Sequence, residues 1–169
     1  MTMRTDTFLY FAYGSNMLTR RLLGRAPSAR TVGIAALRDH ALRWHKVSKD
    51  GSGKCDIVTA ASSTVYGVLF EIALSDKPAL DTAEGLGWGY KQVELEVQTA
   101  SGPVQALSYQ GTNIDYGTKP YDWYKTLVVA GAREHGLAAD YVQTLEAVAT
   151  VEDWNKERAA ENLRALTAR

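Results

Sequence analysis

One stretch near the N-terminus decides the fold: FLYFAY at residues 8–13, followed directly by GSN at residues 14–16. All six residues of the first stretch are apolar or aromatic, which is the composition of a strand covered on both faces. A strand of this kind lies inside a sheet rather than at its edge. We therefore expect a central strand that ends in a tight turn at Gly14.

A short helix is expected to follow this turn, over residues 17–23, with Ser15 or Asn16 as its N-cap and Gly24 as its C-cap. Backbone N–H groups at such a helix start point into one small space. Together with the helix dipole they can hold a carboxylate or a developing oxyanion. A Gly-Ser-Asn tripeptide is more often a plain connection, so this motif alone does not establish a site.

Further strands are predicted from composition and alternation. Residues 65–72 are β-branched and aromatic, and residues 93–98 alternate apolar and polar side chains without a break. A turn at residues 101–103 leads into residues 104–109, which predicts a hairpin. The weakly alternating residues 32–44 carry no strong signal and are followed by a polar loop at residues 48–54.

The helices are predicted from caps and from spacing. Ser75 is a candidate N-cap for a helix with Pro78 in its first turn and Gly85 as a left-handed C-terminal stop. After Pro120 the apolar residues recur at helical spacing as far as a stop signal at Gly136. A second helix is then expected to cover the apolar side chains of Tyr141, Leu145 and Val148.

Early strands and late helices, without a regular βαβ repeat, indicate the α+β class with a small, mixed, strongly curved or barrel-like sheet. The length of 169 residues is that of a single domain, here residues 1–169. Residues 151–169 are mostly charged residues and alanine, and we expect them to form a loosely held helical tail. Trp154 is the expected anchor of that tail.

The composition argues against several classes of partner. The 19 basic and 19 acidic residues cancel, so no long-range field favours nucleic acids or anionic membranes. The single cysteine, Cys55, excludes an internal disulfide and a thiolate zinc cage and suits a reducing compartment, so we expect a cytoplasmic protein. Residues 1–6 lack the apolar core of a signal peptide, and no apolar run approaches the roughly 20 residues that span a bilayer. A small molecule or another protein is the expected partner.

Glu84 is a candidate acid/base. It is expected to end a helix just before Gly85, where the negative end of the helix dipole disfavours an ionised carboxylate and so suits proton exchange near neutral pH. Most glutamates at helix ends are simply solvated, so this position alone is weak evidence. Tyr90 and Tyr124 are further candidates, because their hydroxyls are able to address a ligand, although aromatic residues more often fill a core.

Other chemical sites are rejected. The stretch GSGK at residues 51–54 resembles a phosphate loop, but Cys55 stands where Ser or Thr must bind magnesium and Ser48 replaces the first glycine. The three histidines have no spacing suited to a metal. No metal site and no cofactor are therefore expected. Ser15 lies in no Gly-x-Ser-x-Gly elbow, so a Ser-His-Asp triad has no support.

Three motifs, in the same order, resemble the γ-glutamylcyclotransferase family: residues 8–16, residues 80–85, and residues 123–125 followed by residues 130–137. The resemblance spans roughly residues 8 to 145, and the segment from 45 to 57 resembles the bacterial members. It implies an α+β fold around a small barrel-like mixed sheet, an enzyme that needs no cofactor, and possible assembly as a homodimer. It also implies a role for each of seven residues: Glu84 as acid/base, and Tyr13, Gly14, Ser15, Asn16, Tyr90 and Tyr124 as substrate-binding residues.

The activity that this resemblance implies is intramolecular. The α-amine of a γ-glutamyl compound attacks its own γ-carbonyl, which forms 5-oxoproline and releases the free amine. Glu84 takes the proton of the ammonium group and returns it to the leaving amine. The amides of the Gly14 turn receive either the oxyanion or the substrate α-carboxylate, and both assignments stay open.

Two alternatives to this activity are considered. The same site is suited to a γ-glutamyl group on a larger or carrier-bound amine, because loops set the leaving side of a pocket. A non-catalytic module that only binds γ-glutamyl groups is the second alternative, and the presence of Glu84 favours the enzyme. A purely structural domain has no support from charge runs or repeats.

Overall fold

The computed structural model describes residues 6–167, in which five strands close into a small barrel. The strands are β1 (Thr7–Ala12), β2 (Arg30–Val47), β3 (Gly53–Ala73), β4 (Tyr90–Thr99) and β5 (Gly102–Gly111). The helices are α1 (Thr19–Leu23), α2 (Lys77–Glu84), α3 (Asp122–Glu134), α4 (Ala139–Glu146) and α5 (Lys156–Leu163). The order around the barrel is β1-β3-β2-β4-β5, and only the β1–β5 pair is parallel. The predicted α+β class with a mixed, barrel-like sheet is confirmed.

Strand β1 lies inside the sheet, as its composition predicts. It pairs along its length with β3, where Phe11 stands opposite Leu69, and it meets β5 at Tyr10 and Leu107. Phe11 is fully buried, and Ser108 of β5 donates a hydrogen bond of 2.7 Å to its carbonyl. An apolar strand with neighbours on both sides thus forms the wall from which the Gly14 turn projects.

Strands β2 and β3 are much longer than the sequence predicts, with 18 and 21 residues. Their pairing is interrupted by register shifts between Thr31 and Gly33, between Arg38 and His40, and between Arg43 and Lys46. Such irregularities break the period of two and bend the strands, which explains the weak alternation over residues 32–44. The predicted loop at 48–54 is also shorter, because its last two residues already belong to β3.

The predicted helix over residues 17–23 is wrong in its start. A single 3₁₀ turn, Ser15–Met17, precedes α1, and no side chain caps either element. Ser15 and Asn16 are buried and make hydrogen bonds to other side chains instead of capping. Gly24 is the C-cap, in a right-handed conformation.

Helix α2 follows a 3₁₀ turn, Leu74–Asp76, so that Asp76 and not Ser75 precedes its first residue. Pro78 lies in the first turn, as predicted. Gly85 ends the helix with φ 74° and ψ 40°, a left-handed conformation that favours glycine. This stop fixes where Glu84 leaves the helix.

Helix α3 lies against the 3₁₀ turn. At Gly131 a Cβ atom would lie 2.5 Å from the Leu18 amide nitrogen, so only glycine permits the two backbones to approach this closely. Helix α3 thereby brings Trp123 and Tyr124 next to the Gly14 turn. It ends before Gly136, as predicted, whereas α4 stops at Glu146 and leaves Val148 outside.

The C-terminal segment differs from its prediction. Trp154 is 78% exposed and anchors nothing in the core. The anchor is Asp153, which is 3% exposed and accepts hydrogen bonds from the Trp123 indole at 2.9 Å and from the Arg158 guanidinium at 2.6 Å. Helix α5 is therefore attached to α3 rather than loosely held, while residues 168–169 of the predicted tail lie outside the described residues. Within residues 6–167, no helix combines the length and the apolar character that a membrane span requires.

Candidate active site

A cavity of about 320 Å³ lies beside the Gly14 turn, within the size range of small-molecule sites. Its walls come from all five strands, the loop between β2 and β3, α1, the end of α2, the start of α3, and α5. All seven residues that the sequence singled out line this one cavity: Tyr13, Gly14, Ser15, Asn16, Glu84, Tyr90 and Tyr124. The fold therefore brings residues from distant parts of the sequence into one site.

The carboxyl group of Glu84 is held by one of its two oxygens. Oε1 accepts hydrogen bonds from the side-chain amide of Asn16 and from the Arg25 guanidinium, the latter at 3.2 Å. The side chain is only 14% exposed. Among the described residues nothing donates to Oε2, so this oxygen is available to a ligand in the cavity.

Asn16 connects the turn to this carboxyl group. Its amide nitrogen also donates to the Tyr10 hydroxyl at 3.1 Å, and its oxygen accepts from Arg25 at 3.0 Å. Asn16 is 4% exposed, and both ends of its amide are occupied, which fixes its orientation. Arg25, Asn16 and Glu84 thus form a closed triangle of contacts.

Gly14 is required by the close approach of two walls. A Cβ atom there would lie 3.0 Å from the Tyr124 hydroxyl and 3.2 Å from the Cys55 Cβ. Directly after it, the Ser15 and Asn16 amides begin the 3₁₀ turn, and within residues 6–167 neither has a protein acceptor. Two unpaired backbone donors therefore lie beside Glu84 at the cavity wall.

The hydroxyls of the three tyrosines differ in whether their proton is already donated to another protein group. Tyr13 donates to the Tyr109 carbonyl, and Tyr90 donates to the Cys55 carbonyl at 2.6 Å. The Tyr124 hydroxyl instead accepts from the Cys55 amide at 3.0 Å, which leaves its proton for a ligand or for the neighbouring thiol. Burial raises the pKa of Tyr90 and Tyr124 well above the ordinary value, so both stay protonated.

Most of the charged residues in this cavity are not predicted from the sequence. Five cationic side chains line it against two carboxylates, those of Asp50 and Glu84. The cations are Arg21, Arg25, Lys46, Lys49 and Lys54. The i, i+4 spacing of the two arginines, directly after the Gly-Ser-Asn turn, is the signal that identifies them as neighbours on one face.

The three histidines have structural partners. His45 is buried and lies 2.7 Å from the Asp56 carboxylate, while His40 and His135 contact backbone carbonyls. In the part of the chain that the structure describes, no three His, Cys, Asp or Glu side chains are grouped in a way that would hold a metal ion.

Known proteins resemble this chain in sequence and in structure. The sequence model of the AIG2-like family matches residues 64–145. A mouse protein named gamma-glutamylcyclotransferase is 35% identical over 156 residues, covering 85% of this chain and 79% of the mouse protein. Its human counterpart of the same name is 34% identical over the same shares. A solved structure titled gamma-glutamyl cyclotransferase superposes with a TM-score of 0.86 at 32% identity, over 94% of this chain and 99% of that one.

Proposed function

The chain belongs to the γ-glutamylcyclotransferase family, and from that premise we propose that Glu84 is the acid/base of its reaction. The activity is the cyclisation of a γ-glutamyl group to 5-oxoproline with release of the free amine, and the substrate is a small γ-glutamyl compound. The reaction joins the α-nitrogen to the γ-carbon and breaks the bond from that carbon to the leaving nitrogen. No external nucleophile is needed, because the attacking amine is part of the substrate.

The first step assigned to Glu84 is the removal of a proton. At neutral pH the substrate α-amine is an ammonium ion and does not attack a carbonyl. Oε2 of Glu84, which has no protein donor, is the oxygen that takes this proton, while Asn16 and Arg25 hold Oε1. Restraint of one oxygen fixes the geometry of the other, which is what a general base needs.

The second step is stabilisation of the charge that appears on the γ-carbonyl oxygen. The unpaired amides of Ser15 and Asn16, and the Tyr124 proton, are the donors that the cavity offers. We assign them to the oxyanion or to the substrate α-carboxylate. Loss of one oxyanion donor typically costs about 3 kcal/mol of barrier.

The last step returns the proton. When the bond to the leaving nitrogen breaks, that nitrogen must be protonated, and the carboxyl of Glu84 donates the proton taken earlier. The second proton, which the α-nitrogen loses as the lactam forms, goes to the released amine, which leaves as an ammonium ion. One carboxyl group therefore serves both steps. No cofactor is part of this proposal.

The observation that carries the proposal is the divided environment of the Glu84 carboxyl, with Oε1 held by two donors and Oε2 left to the cavity. A direct test is to incubate the purified protein with γ-glutamyl-alanine and to follow 5-oxoproline by mass spectrometry. Equimolar release of alanine and 5-oxoproline is expected. Release of glutamate instead of 5-oxoproline would indicate hydrolysis and contradict the cyclisation.

We also propose a cytoplasmic location and a homodimer. The first is supported by Cys55, a buried free thiol of the kind that a reducing compartment preserves. The second rests on family resemblance alone, and sedimentation of the protein at several concentrations tests it.

A further inference from the structure

Arg21 is a partly buried cation without an anionic partner. Its Nε donates to the Ser15 hydroxyl and its Nη1 to the Asn162 side-chain oxygen, both at 2.9 Å, and both acceptors are neutral. Within residues 6–167 no carboxylate oxygen lies within 4.0 Å of it. Burial, and secondarily the nearby Arg25, lower its pKa to about 10. A cation in this position is stabilised by an anion that the protein itself does not supply.

Lys54 is the second cation at the same end of the cavity. Its Nζ lies 4.4 Å from the ring centre of Trp123 and 4.6 Å from that of Tyr124, and its side chain is 14% exposed. Arg21 lies over the same Trp123 ring at 5.9 Å. Two cations are thus placed around one indole.

Asp50 is the one carboxylate at this end of the cavity, and it offsets only part of that charge. It contacts Lys54 at 3.2 Å and also accepts hydrogen bonds from Ser48 and Ser52. The two cations and the single carboxylate leave one net positive charge. An anionic ligand group is therefore favoured here.

Arg21, within α1, and Arg25, two residues after the last residue of that helix, contact different parts of the cavity wall. Arg25 contacts Glu84 at 3.2 Å, whereas Arg21 contacts the Trp123 and Asn162 side chains. In the proposed reaction the α-nitrogen and the γ-carbon join in one small ring next to Glu84. The ring carries the substrate α-carboxylate, for which the Gly14 turn offers donors, and the leaving amine extends from the γ-carbon on another side of the ring.

We propose that Arg21 and Lys54 form a subsite for the carboxylate of the leaving amino acid, so that the enzyme distinguishes a γ-glutamyl amino acid from the corresponding uncharged γ-glutamyl amine. This inference rests on the proposed function, since it presupposes that Glu84 marks the position of the reacting ring. Trp123 forms the floor on which both cations are held. Larger or carrier-bound amines, which lack this carboxylate, gain nothing from the subsite.

The test uses two substrates that differ in one group. In γ-glutamyl-alaninamide a neutral carboxamide replaces the carboxylate of γ-glutamyl-alanine, with almost the same shape. For the wild-type enzyme we expect kcat/KM to favour the carboxylate substrate by about tenfold or more, the range of one charge-assisted hydrogen bond. Equal values for the two substrates would overturn the subsite while leaving the cyclisation intact. Absence of 5-oxoproline from both would reject the proposed function and the subsite together.

Substitutions of Lys54 and Lys49 test which side chain causes the preference for the carboxylate substrate. In Lys54→Met the preference for γ-glutamyl-alanine is expected to fall towards one, and Lys54→Arg is expected to keep most of it. Lys49→Met is the matched control, because Lys49 lines the same cavity but lies against Trp88, 5.2 Å from its ring centre. An equal loss of preference in Lys49→Met would show a general charge effect and overturn the assignment.

If Lys54→Met does not fold, a substitution of Arg21 tests the same subsite. Arg21→Gln keeps hydrogen-bond donors and removes the charge, and it is expected to lower the same ratio. If both substrates slowed equally in this variant, Arg21 would act on the glutamyl part, and the proposed subsite would be wrong.

Discussion

Arg25 donates a hydrogen bond to Glu84 Oε1 at 3.2 Å and another to the Asn16 oxygen at 3.0 Å, so one guanidinium fixes both the acid/base candidate and the residue that orients it. Arg25 and Glu84 are 59 residues apart in the chain. The contact exists because the segment after α1 and the end of α2 line the same cavity. The contact holds Oε1 of Glu84 and leaves Oε2 for the proposed proton transfer.

Replacement of Arg25 by Met is expected to lower kcat/KM for γ-glutamyl-alanine by about 10- to 100-fold, because a hydrogen bond to a charged group contributes roughly 1.5–3 kcal/mol. Arg25→Lys retains the charge and is expected to recover part of this loss. Steady-state kinetics measure both effects. Arg20→Met is the control, since Arg20 is an exposed arginine of α1, the helix that precedes Arg25. Wild-type rates in Arg25→Met would show that Glu84 needs no such support.

Replacement of Gly14 by Ala is expected to raise KM by about tenfold, because the new Cβ would meet Tyr124 and Cys55 at 3.0 and 3.2 Å, and overpacking typically costs about 1–3 kcal/mol. Adding Tyr124→Phe removes one of these contacts, although it also removes a proposed donor. The double variant is therefore expected to recover the wild-type KM more fully than the wild-type kcat. Gly24→Ala is the control, since a Cβ there meets nothing closer than 3.4 Å. An unchanged KM in well-folded Gly14→Ala would contradict the tight turn.

The preference for the carboxylate substrate is expected to decline as the pH rises through about 8. Burial lowers the pKa of Lys54 to about 8, against the opposing effect of Asp50 and with further lowering by Arg21 and Lys46. A lysine is cationic below its pKa, so the attraction is present at pH 7 and is lost above pH 8. The two substrates share the same α-amine, so its titration cancels in the ratio.

The pH dependence of this ratio is measured as kcat/KM for γ-glutamyl-alanine over γ-glutamyl-alaninamide between pH 6.5 and 9.5. In Lys54→Arg the ratio is expected to stay flat, because the guanidinium keeps its charge over this range. A wild-type ratio that does not change with pH would argue against Lys54 as the titrating cation.

The sequence predicts the features that depend on neighbours in the chain. The apolar run before Gly14 marks β1, and Gly85 marks the end of α2, so the two walls that carry Gly14 and Glu84 were identified without coordinates. The sequence does not predict the length of β2 and β3, because bulges at three points break the alternation that reveals a strand. Periodicity detects regular strands and is insensitive to bent ones.

Contacts between distant residues explain the remaining differences. Trp154 was expected to anchor the tail because it is large and aromatic, yet the buried residue is Asp153. Its burial depends on the Trp123 indole, 30 residues away, and on Arg158, and the sequence gives no sign of the former. The charged side chains of Arg21 and Lys54 likewise join the site only because α1, β3 and α3 converge there.

Glu84→Gln tests the central claim most directly, because glutamine keeps the shape and the oxygen that Asn16 and Arg25 contact but does not accept the substrate proton. We predict a normal thermal unfolding transition and a fall of about 10³-fold or more in kcat for 5-oxoproline release from γ-glutamyl-alanine, within the range expected for loss of a general acid/base. Glu94→Gln, at an exposed position of β4, should retain full activity. Turnover by Glu84→Gln at the wild-type rate would show that another group moves the proton.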